Sequence, residues 1–294
     1  MKQLTQKLGS GEMRVRNVPL PLVGRGCVLV RNHYSLISAG TEGSTVRAAR
    51  KNLLGKAKER PQQVKQVMDA LRTVGPTQTF RAVTKKLDAY SPLGYSCAGE
   101  VLDVSSDVTG FSVGDFVACG GTHASHAEAV SVASNLCVRL PEGADLRAAS
   151  YNTLGAIALQ GIRQADMRLG ETCVVIGLGL IGQLTCLLLR ASGVQVLGVD
   201  VNPSVVEIAQ KHCADAAWAR SENGIESQVQ LRTNGIGADA VIITAATNSL
   251  DPINFAGRLA RGKGRVVIVG DVPTGFSREP DYYRKELDLS LIHI

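Results

Sequence analysis

The sequence predicts an α/β protein in which a β-rich region comes first and a doubly wound parallel sheet follows. Residues 11–41 and 92–140 contain short valine-rich strands separated by glycines, such as EMRVRNV, CVLVRNHYSLI, AGEVLDV and GDFVACG. Closely spaced short strands are typical of a small barrel or sandwich. From Thr172 onward strands alternate with helices, which indicates a parallel sheet with helices on both faces. The 294 residues are enough for two domains, each with its own core.

A basic segment at residues 43–90 interrupts the β-rich region and is predicted to be helical. It carries eleven Lys and Arg against three acidic residues, a local charge of +8, whereas the whole chain has +6. Apolar residues recur in it at helical spacing in three stripes: Val46, Ala49, Leu53 and Ala57; Val64, Val67, Met68, Leu71 and Val74; Phe80, Val83 and Leu87. Three interpretations remain open: a solvated face, a docking surface for a further domain, or an electrostatic guide for an anionic sugar or sugar nucleotide. Nucleic-acid binding is disfavoured because the segment has few aromatic residues and no recognised motif.

The elements of the second half are indicated by their periodicity and end signals. TCVVIGLG and VQVLGVD are predicted strands, with the helix LIGQLTCLLLRASG between them. Asn202 and Pro203 supply the N-cap and the first-turn proline of a helix that ends near Cys213. ADAVIITAA and GRVVIVGD are later strands, separated by the helix SLDPINFAGRLARG.

A glycine-rich turn after the first of these strands predicts dinucleotide binding. Gly177-Leu178-Gly179-Leu180-Ile181-Gly182 matches G-x-G-x-x-G between a strand and a helix, and Asp200 follows at the end of the next strand. The carboxylate of Asp200 can accept hydrogen bonds from both ribose hydroxyls and would repel a 2′-phosphate, which favours NAD over NADP. Residues at the ends of the strands complete the predicted cofactor site: Val201, Thr244, Ala245, Val269 and Gly270.

Composition excludes two other classes of protein. The start, MKQLTQKLGSGEMRV, lacks the apolar core of a secretory signal, and no run approaches the ~20 apolar residues of a membrane span. The seven cysteines are scattered without C-x-x-C pairs. This pattern favours reduced thiols and a cytoplasmic location.

The order of a β-rich and a cofactor domain, with GDFVACGG and VIGLGLIG, resembles the medium-chain dehydrogenase/reductase superfamily, the alcohol dehydrogenase-like proteins. The resemblance covers essentially the whole chain. It implies a GroES-like β barrel over residues 1–145, with the helical insert at 43–90, and a Rossmann NAD(P)-binding domain over 146–277. It also implies an oxidoreductase that transfers hydride between nicotinamide and a carbonyl/alcohol pair or an activated double bond.

The zinc ligands of that superfamily are replaced in this sequence. SAGTE, GYS and NTLGA correspond to the ligand segments and put Ala39, Tyr95 and Thr153 at the ligand positions. Since alanine offers no donor atom, no zinc is expected. The resemblance implies instead that Tyr95 faces the nicotinamide close to Thr41. The predicted catalytic residues are Tyr95 as proton donor, Thr41 as relay and Glu42 as the residue that orients the site or tunes its charge.

Two further patterns of reactive residues are disfavoured as sites. Cys119, His123 and His126 form C-x3-H-x2-H, but no fourth ligand is evident, so packed side chains are favoured over a metal site. Ser96 in GYSCAG suggests a nucleophile elbow, yet the second glycine comes one position late and the turn leads into a strand. Cys97 is expected to pack into that strand.

A narrower resemblance is carried by SLISAGTE, ARKNLLGKAKERP, PLGYS and TLGAIALQG. These segments resemble the first half of bi-domain oxidoreductases, in which an alcohol dehydrogenase-like domain is fused to one like glucose-fructose oxidoreductase and inositol dehydrogenase. A small, sugar-related substrate is implied, and the expected partners are a homodimer mate and a fused C-terminal oxidoreductase domain, without a membrane.

Since the sequence ends in KELDLSLIHI, residues 278–294 are expected to be the truncated start of a return segment. The alternative function is a non-catalytic NAD(H)-binding module that positions or regulates a fused enzyme.

Overall fold

The computed structural model describes residues 1–50 and 61–292, without the side chains of 61–63. The chain divides into two compact units, Met1–Thr153 and Leu154–Ile294, close to the predicted division at 145–146. The part of the predicted insert at 51–60, with Leu53 and Ala57 of the first stripe, lies outside the described residues, as do the last two residues of the predicted return segment.

The first unit contains two antiparallel sheets, and the β domain predicted for it is confirmed. A five-stranded sheet has the order β7-β3-β5-β6-β8, and a three-stranded sheet has the order β2-β1-β4. The bounds are β1 Lys2–Lys7, β2 Met13–Asn17, β3 Cys27–Ser35, β4 Tyr90–Pro92, β5 Ser96–Val104, β6 Phe116–Gly120, β7 Ala129–Ala133 and β8 Cys137–Arg139. Alternate residues of the larger sheet, Val28 and Val30 on β3 and Val117 on β6 among them, are completely buried and form the core.

The described part of the insert is helical, as its periodicity predicts. It forms α1 Thr41–Arg50, α2 Pro61–Val74 and α3 Pro76–Asp88. Gly75, at a φ of 84°, separates α2 from α3. The apolar stripe of α2 stays largely exposed at Val64, Met68 and Leu71, so the three interpretations of this surface remain predictions.

Short helical elements precede and include the boundary between the two units in the sequence. A 3₁₀ turn covers Ser134–Leu136, α4 covers Leu146–Ala149, and the unit boundary falls inside α5, Asn152–Ala165. The side chain of Asp145 caps α4 by accepting the N–H of Arg147.

The second unit is built on a six-stranded parallel sheet with the order β11-β10-β9-β12-β13-β14. Its strands are β9 Thr172–Ile176, β10 Gln195–Asp200, β11 Ala216–Ala219, β12 Ala238–Ile243, β13 Ala260–Ile268 and β14 Asp288–Leu291. Its remaining helices are α6 Leu180–Ala191, α7 Pro203–His212, α8 Ile225–Arg232, α9 Asp251–Leu259 and α10 Asp281–Arg284. The chain runs outward from β9 in one direction and then from β12 in the other, which is the predicted doubly wound topology.

Alternating apolar residues explain why this sheet carries helices on both faces. Val175 and Ile242 belong to one buried cluster, whereas Val174 and Val241 belong to a second one, with Phe255 of α9. Because successive side chains of a strand point to opposite faces, apolar runs of this kind require cover on both sides. None of the described helices combines the length and the apolar character needed to cross a membrane.

Candidate functional site

The predicted cofactor residues of the second unit gather at the carboxyl ends of its central strands. Gly177 follows β9, Thr244 and Ala245 follow β12, and Val269 and Gly270 follow β13. β9 lies between β10 and β12, where the direction of winding reverses. Open parallel sheets bind ligands at this switch point, so the topology agrees with the role predicted for these residues.

The first and third glycines of the turn are required by the fold itself. Gly177 has a φ of 98°, and a Cβ on Gly182 would overlap the carbonyl oxygen of Gly177. The hydroxyl of Thr244 donates to the same carbonyl oxygen at 2.5 Å. These contacts hold the start of α6 against the end of β9.

The second glycine has no such packing requirement. A Cβ on Gly179 would meet no protein atom within 4 Å, and Gly179 is the N-cap of α6 without a side-chain cap. The N–H groups of Leu180, Ile181 and Gly182 are the first of α6 and have no acceptor within the helix. Open space beside free helix amides fits the pyrophosphate of a dinucleotide.

Asp200 is fixed at the end of β10 by two backbone amides. Its Oδ2 accepts from the N–H of Leu178 at 2.6 Å, and its Oδ1 accepts from Asn202 at 2.8 Å. The side chain of Leu178 is completely buried, so this residue can reach a cofactor only through its backbone. The neighbouring Val201 is exposed and brings no positive charge to the carboxylate.

In the first unit Glu42 joins two turns that are distant in sequence. Its Oε1 accepts from the N–H of Ser38 at 2.7 Å, and its Oε2 lies 2.9 Å from Nε2 of His126. Nδ1 of His126 lies in turn 2.8 Å from the hydroxyl of Ser35. The N–H of Gly94 is also directed at the Glu42 carboxylate, and a Cβ on Gly94 would collide with His126. Glu42 therefore fastens the segment that holds Thr41 to the turn that holds Tyr95.

The environment of Glu42 favours its ionised form. Burial by itself would raise the pKa of this carboxyl group, but the hydrogen bond with His126 and the amides of Ser38 and Gly94 outweigh it, so the pKa lies below the ordinary value of 4.5. The side chains of Glu42 and His126 are only 10% and 9% exposed. Little water screens the pair, and its hydrogen bonds contribute to stability.

We expect Glu42→Gln to lower the free energy of unfolding by about 2 kcal/mol at pH 7, because a buried charge-assisted hydrogen bond is lost. The folded-state pKa of Glu42 is depressed, so its contribution is complete above about pH 4.5 and is lost as the pH falls through the folded-state value. Urea unfolding followed by circular dichroism at several pH values should show the difference from wild type shrinking below pH 4.5. Glu12→Gln, at an exposed pair with Arg14, serves as the control, with an expected difference below about 0.5 kcal/mol. A constant difference down to pH 3 would contradict this role of Glu42.

Tyr95 presents a hydroxyl group without a partner. Among the described residues nothing forms a hydrogen bond with this oxygen, although it is shielded from solvent. Buried hydroxyls are normally paired, so the Tyr95 hydroxyl keeps its donor and acceptor capacity unused among the described residues. Thr41 is exposed at the first position of α1.

Ser96 and Cys97 have structural surroundings. Ser96 is completely buried and its hydroxyl donates to the carbonyl oxygen of Ser150 at 2.7 Å, while Cys97 is completely buried in β5. Both agree with the expectation that neither residue reacts. The hydroxyl of Thr153 donates to the carbonyl oxygen of Tyr95 at 3.3 Å, which brings two of the aligned zinc-ligand positions together.

The residues of the C-x3-H-x2-H pattern point in different directions. Sγ of Cys119 lies 3.6 Å from Sγ of Cys137, His123 is exposed, and His126 is held by Glu42 and Ser35. Within residues 1–50 and 61–292 no group of three or more His, Cys, Asp or Glu side chains is arranged to hold a metal ion. The sequence suggested a metal ligand at His126 and gave no role to Ser35, because their contacts come from packing between distant segments.

The sequence of this chain is similar to the sequences of known dehydrogenases. Residues 181–290 match the family of zinc-binding dehydrogenases. D-Guloside 3-dehydrogenase of Shigella flexneri is 32% identical over 155 residues, which are 52% of this chain and 44% of that protein. The chain thus spans less than half of that relative's length.

Solved structures resemble nearly the whole chain. A putative zinc-binding dehydrogenase from Clostridium scindens has a TM-score of 0.77 at 17% identity and covers 99% of this chain and 85% of its own. The mycobacterial protein Rv1454c, in complex with NADPH, has a TM-score of 0.71 at 16% identity and covers 100% of this chain and 81% of its own. At these identities the likeness establishes the fold, which is the two-part α/β architecture expected from the sequence.

Proposed function

Because the chain is related to the alcohol dehydrogenase-like dehydrogenases and reductases, we propose that it is an NAD-linked oxidoreductase that works without zinc. It transfers hydride between nicotinamide and a carbonyl/alcohol pair or an activated double bond. The observation that carries this proposal is the glycine turn at the switch point of the parallel sheet, with open space at Gly179 and a fixed carboxylate at Asp200. These residues fit a dinucleotide, whose nicotinamide supplies the hydride chemistry when it is bound.

The preference for NAD rests on the charge beside the ribose position. Asp200 is a carboxylate at the end of β10, and the residue after it is the apolar Val201. A 2′-phosphate would be repelled by the Asp200 carboxylate, and the apolar Val201 offers no charge to compensate that repulsion. The mycobacterial structure contains NADPH, which supports a nicotinamide dinucleotide as the cofactor. The preference for NAD over NADP is inferred from the charge of Asp200 alone.

Independence of zinc rests on the residues at the ligand positions. Ala39 has no donor atom, and Tyr95 and Thr153 are not typical zinc ligands. The match to zinc-binding dehydrogenases at residues 181–290 lies in the second unit and does not include these positions. Without a metal, the substrate oxygen needs a hydrogen-bond donor, and the unpartnered hydroxyl of Tyr95 offers one. In this proposal Tyr95 holds the substrate oxygen and Thr41 assists proton transfer, while the buried Glu42 orients both turns.

The proposed substrate class is a sugar or a sugar derivative. The support is the similarity to D-guloside 3-dehydrogenase, which extends over 44% of that protein. A secondary alcohol of a pyranoside and the ketone formed by its oxidation are a carbonyl/alcohol pair of the kind named above. The cluster of basic residues in the insert is compatible with an anionic member of that class.

The test has two stages. Titration of the purified chain with NADH and NADPH should show tighter binding of NADH. A panel of sugar ketones, sugar aldehydes, quinones and enones should then contain at least one compound that oxidises bound NADH. Stronger binding of NADPH would contradict the role of Asp200. NADH binding without turnover of any compound would favour the alternative, a non-catalytic NAD(H)-binding module.

A further inference from the structure

Glu42, His126 and Ser35 form a continuous line of hydrogen-bonded side chains in the first unit. Oε2 of Glu42 lies 2.9 Å from Nε2 of His126, and Nδ1 of His126 lies 2.8 Å from Oγ of Ser35. The three residues come from α1, from the turn before β7 and from the end of β3. The carboxylate end is buried, whereas Ser35 is partly exposed.

The chemistry of this line permits a proton to move along it. A neutral imidazole donates from Nε2–H to the Glu42 carboxylate, so Nδ1 is the acceptor and the Ser35 hydroxyl is the donor. If Ser35 receives a proton at its oxygen, it can pass its own proton to Nδ1. The resulting imidazolium is then paired with the adjacent carboxylate, which the amides of Ser38 and Gly94 keep ionised.

The position of the line links it to the residues proposed for catalysis. Gly94, which precedes Tyr95, packs directly on His126, and the N–H of His126 donates to the carbonyl oxygen of Leu93 at 2.7 Å. Glu42 follows Thr41 in α1. The line therefore contacts the turn that carries Tyr95 and includes the residue that follows Thr41.

We propose that Ser35, His126 and Glu42 form a proton relay that supplies the acid–base chemistry of this zinc-free site. The inference rests on the oxidoreductase function proposed above and gives the proton-transfer part assigned there to Thr41 to Ser35. In alcohol oxidation the substrate C–H bond breaks, and its electron pair leaves with the hydride, which the oxidised nicotinamide of the proposed function would accept. The substrate O–H bond breaks, its proton bonds to Oγ of Ser35, and the Ser35 proton moves to Nδ1 of His126. The products are the carbonyl compound, the reduced nicotinamide and an imidazolium paired with Glu42. After product release the proton returns through Ser35 to water, and carbonyl reduction uses the same steps in reverse.

In the relay the three residues have different roles, whereas in a purely structural cluster all three would only hold segments together. Ser35 contacts the substrate oxygen and is catalytic. His126 accepts the proton through Ser35, and Glu42 positions His126 and balances its charge. Tyr95 then serves as a hydrogen-bond donor to the substrate oxygen and does not need to ionise. A structural cluster would only hold the 35–42 segment against the 93–95 turn.

The first experiment uses Ser35→Ala and Ser35→Thr in the full chain, with a substrate found in the panel. We expect Ser35→Ala to lower kcat about 100-fold, the usual size of a general acid–base contribution, with unchanged NADH affinity. Ser35→Thr keeps the hydroxyl and should retain most of the rate. His33→Ala, at a half-exposed histidine near Glu100, is the matched control and should keep the wild-type rate. Wild-type turnover by Ser35→Ala would overturn the relay while leaving the oxidoreductase proposal intact.

The second experiment separates proton transfer from packing. His126→Ala leaves a cavity that added imidazole can enter, so imidazole should restore turnover of this variant and not of Ser35→Ala. A series of substituted imidazoles and triazoles should restore it in order of their basicity. Equal restoration by weak and strong bases would mean that His126 only fills space, and the relay would be wrong. If His126→Ala does not fold, the Ser35 pair decides the question. A wild-type chain that binds NADH without turning over any substrate overturns the proposed function, and the relay with it.

Discussion

Replacement of Gly179 by valine is expected to abolish NADH binding and to leave the second unit folded. A Cβ at this position, the N-cap of α6, would meet no protein atom within 4 Å and would project into open space. The pyrophosphate of a dinucleotide would occupy that space, so the methyl groups of valine and the cofactor exclude each other. We expect at least a 100-fold loss of affinity, equivalent to about 2.7 kcal/mol.

The measurement combines NADH titration with unfolding. Trp218 is the only tryptophan and lies on β11 of the second unit, so its fluorescence reports the stability of that unit. Gly179→Val should unfold close to the wild-type midpoint. Gly262→Val, at the opposite end of the sheet and also free of neighbours within 4 Å, should bind NADH normally. Affinity within twofold of wild type for Gly179→Val would exclude the cofactor site proposed at this turn.

Gly182→Val, at the same turn, is expected to lower stability as well as NADH binding. Its Cβ would overlap the carbonyl oxygen of Gly177, so α6 has to move away from β9. This variant should lose NADH binding together with the stability reported by Trp218. The two substitutions thereby distinguish a glycine that the ligand requires from a glycine that the fold requires.

Tyr95→Phe is expected to lower turnover by a factor of about 100 to 1,000, the range for loss of one donor to a developing oxyanion. The stability of the first unit should be unchanged or higher. The hydroxyl makes no hydrogen bond to any described residue and is shielded from solvent, so its removal costs the fold no interaction and relieves a buried unpaired group. Loss of activity combined with retained stability is what a residue that serves the substrate should show.

Tyr282→Phe is the matched control for this substitution. The Tyr282 hydroxyl donates to the carbonyl oxygen of Ile253 at 2.8 Å, and the side chain is buried in the second unit. Its removal should therefore lower stability by about 1 kcal/mol and leave kcat unchanged. Steady-state kinetics and thermal unfolding of both variants provide the comparison. Full turnover by Tyr95→Phe would remove Tyr95 from the mechanism.

The sequence by itself determined the second unit in detail. The strands β9, β10, β12 and β13, the capped helix after Asn202 and the glycine turn all have local causes: apolar periodicity, an N-cap whose side chain accepts from Ser204, and steric limits on Gly177 and Gly182. β11 and α8 are not predictable from the local sequence. The strand AAWA is short, and α8 has little apolar periodicity.

Only the tertiary structure decided which polar side chains of the first unit form hydrogen bonds with one another. Glu42 and His126 are 84 residues apart in the sequence, and His126 and Ser35 are 91 apart. No local pattern encodes such pairs, since hydrogen-bond partners across distant segments depend on how the strands and turns pack. The same holds for the unpartnered hydroxyl of Tyr95, which a one-dimensional pattern cannot distinguish from a bonded one. The sequence thus determined the predicted cofactor turn through backbone sterics, and packing decided which polar side chains bond to each other and which hydroxyl has no partner among the described residues.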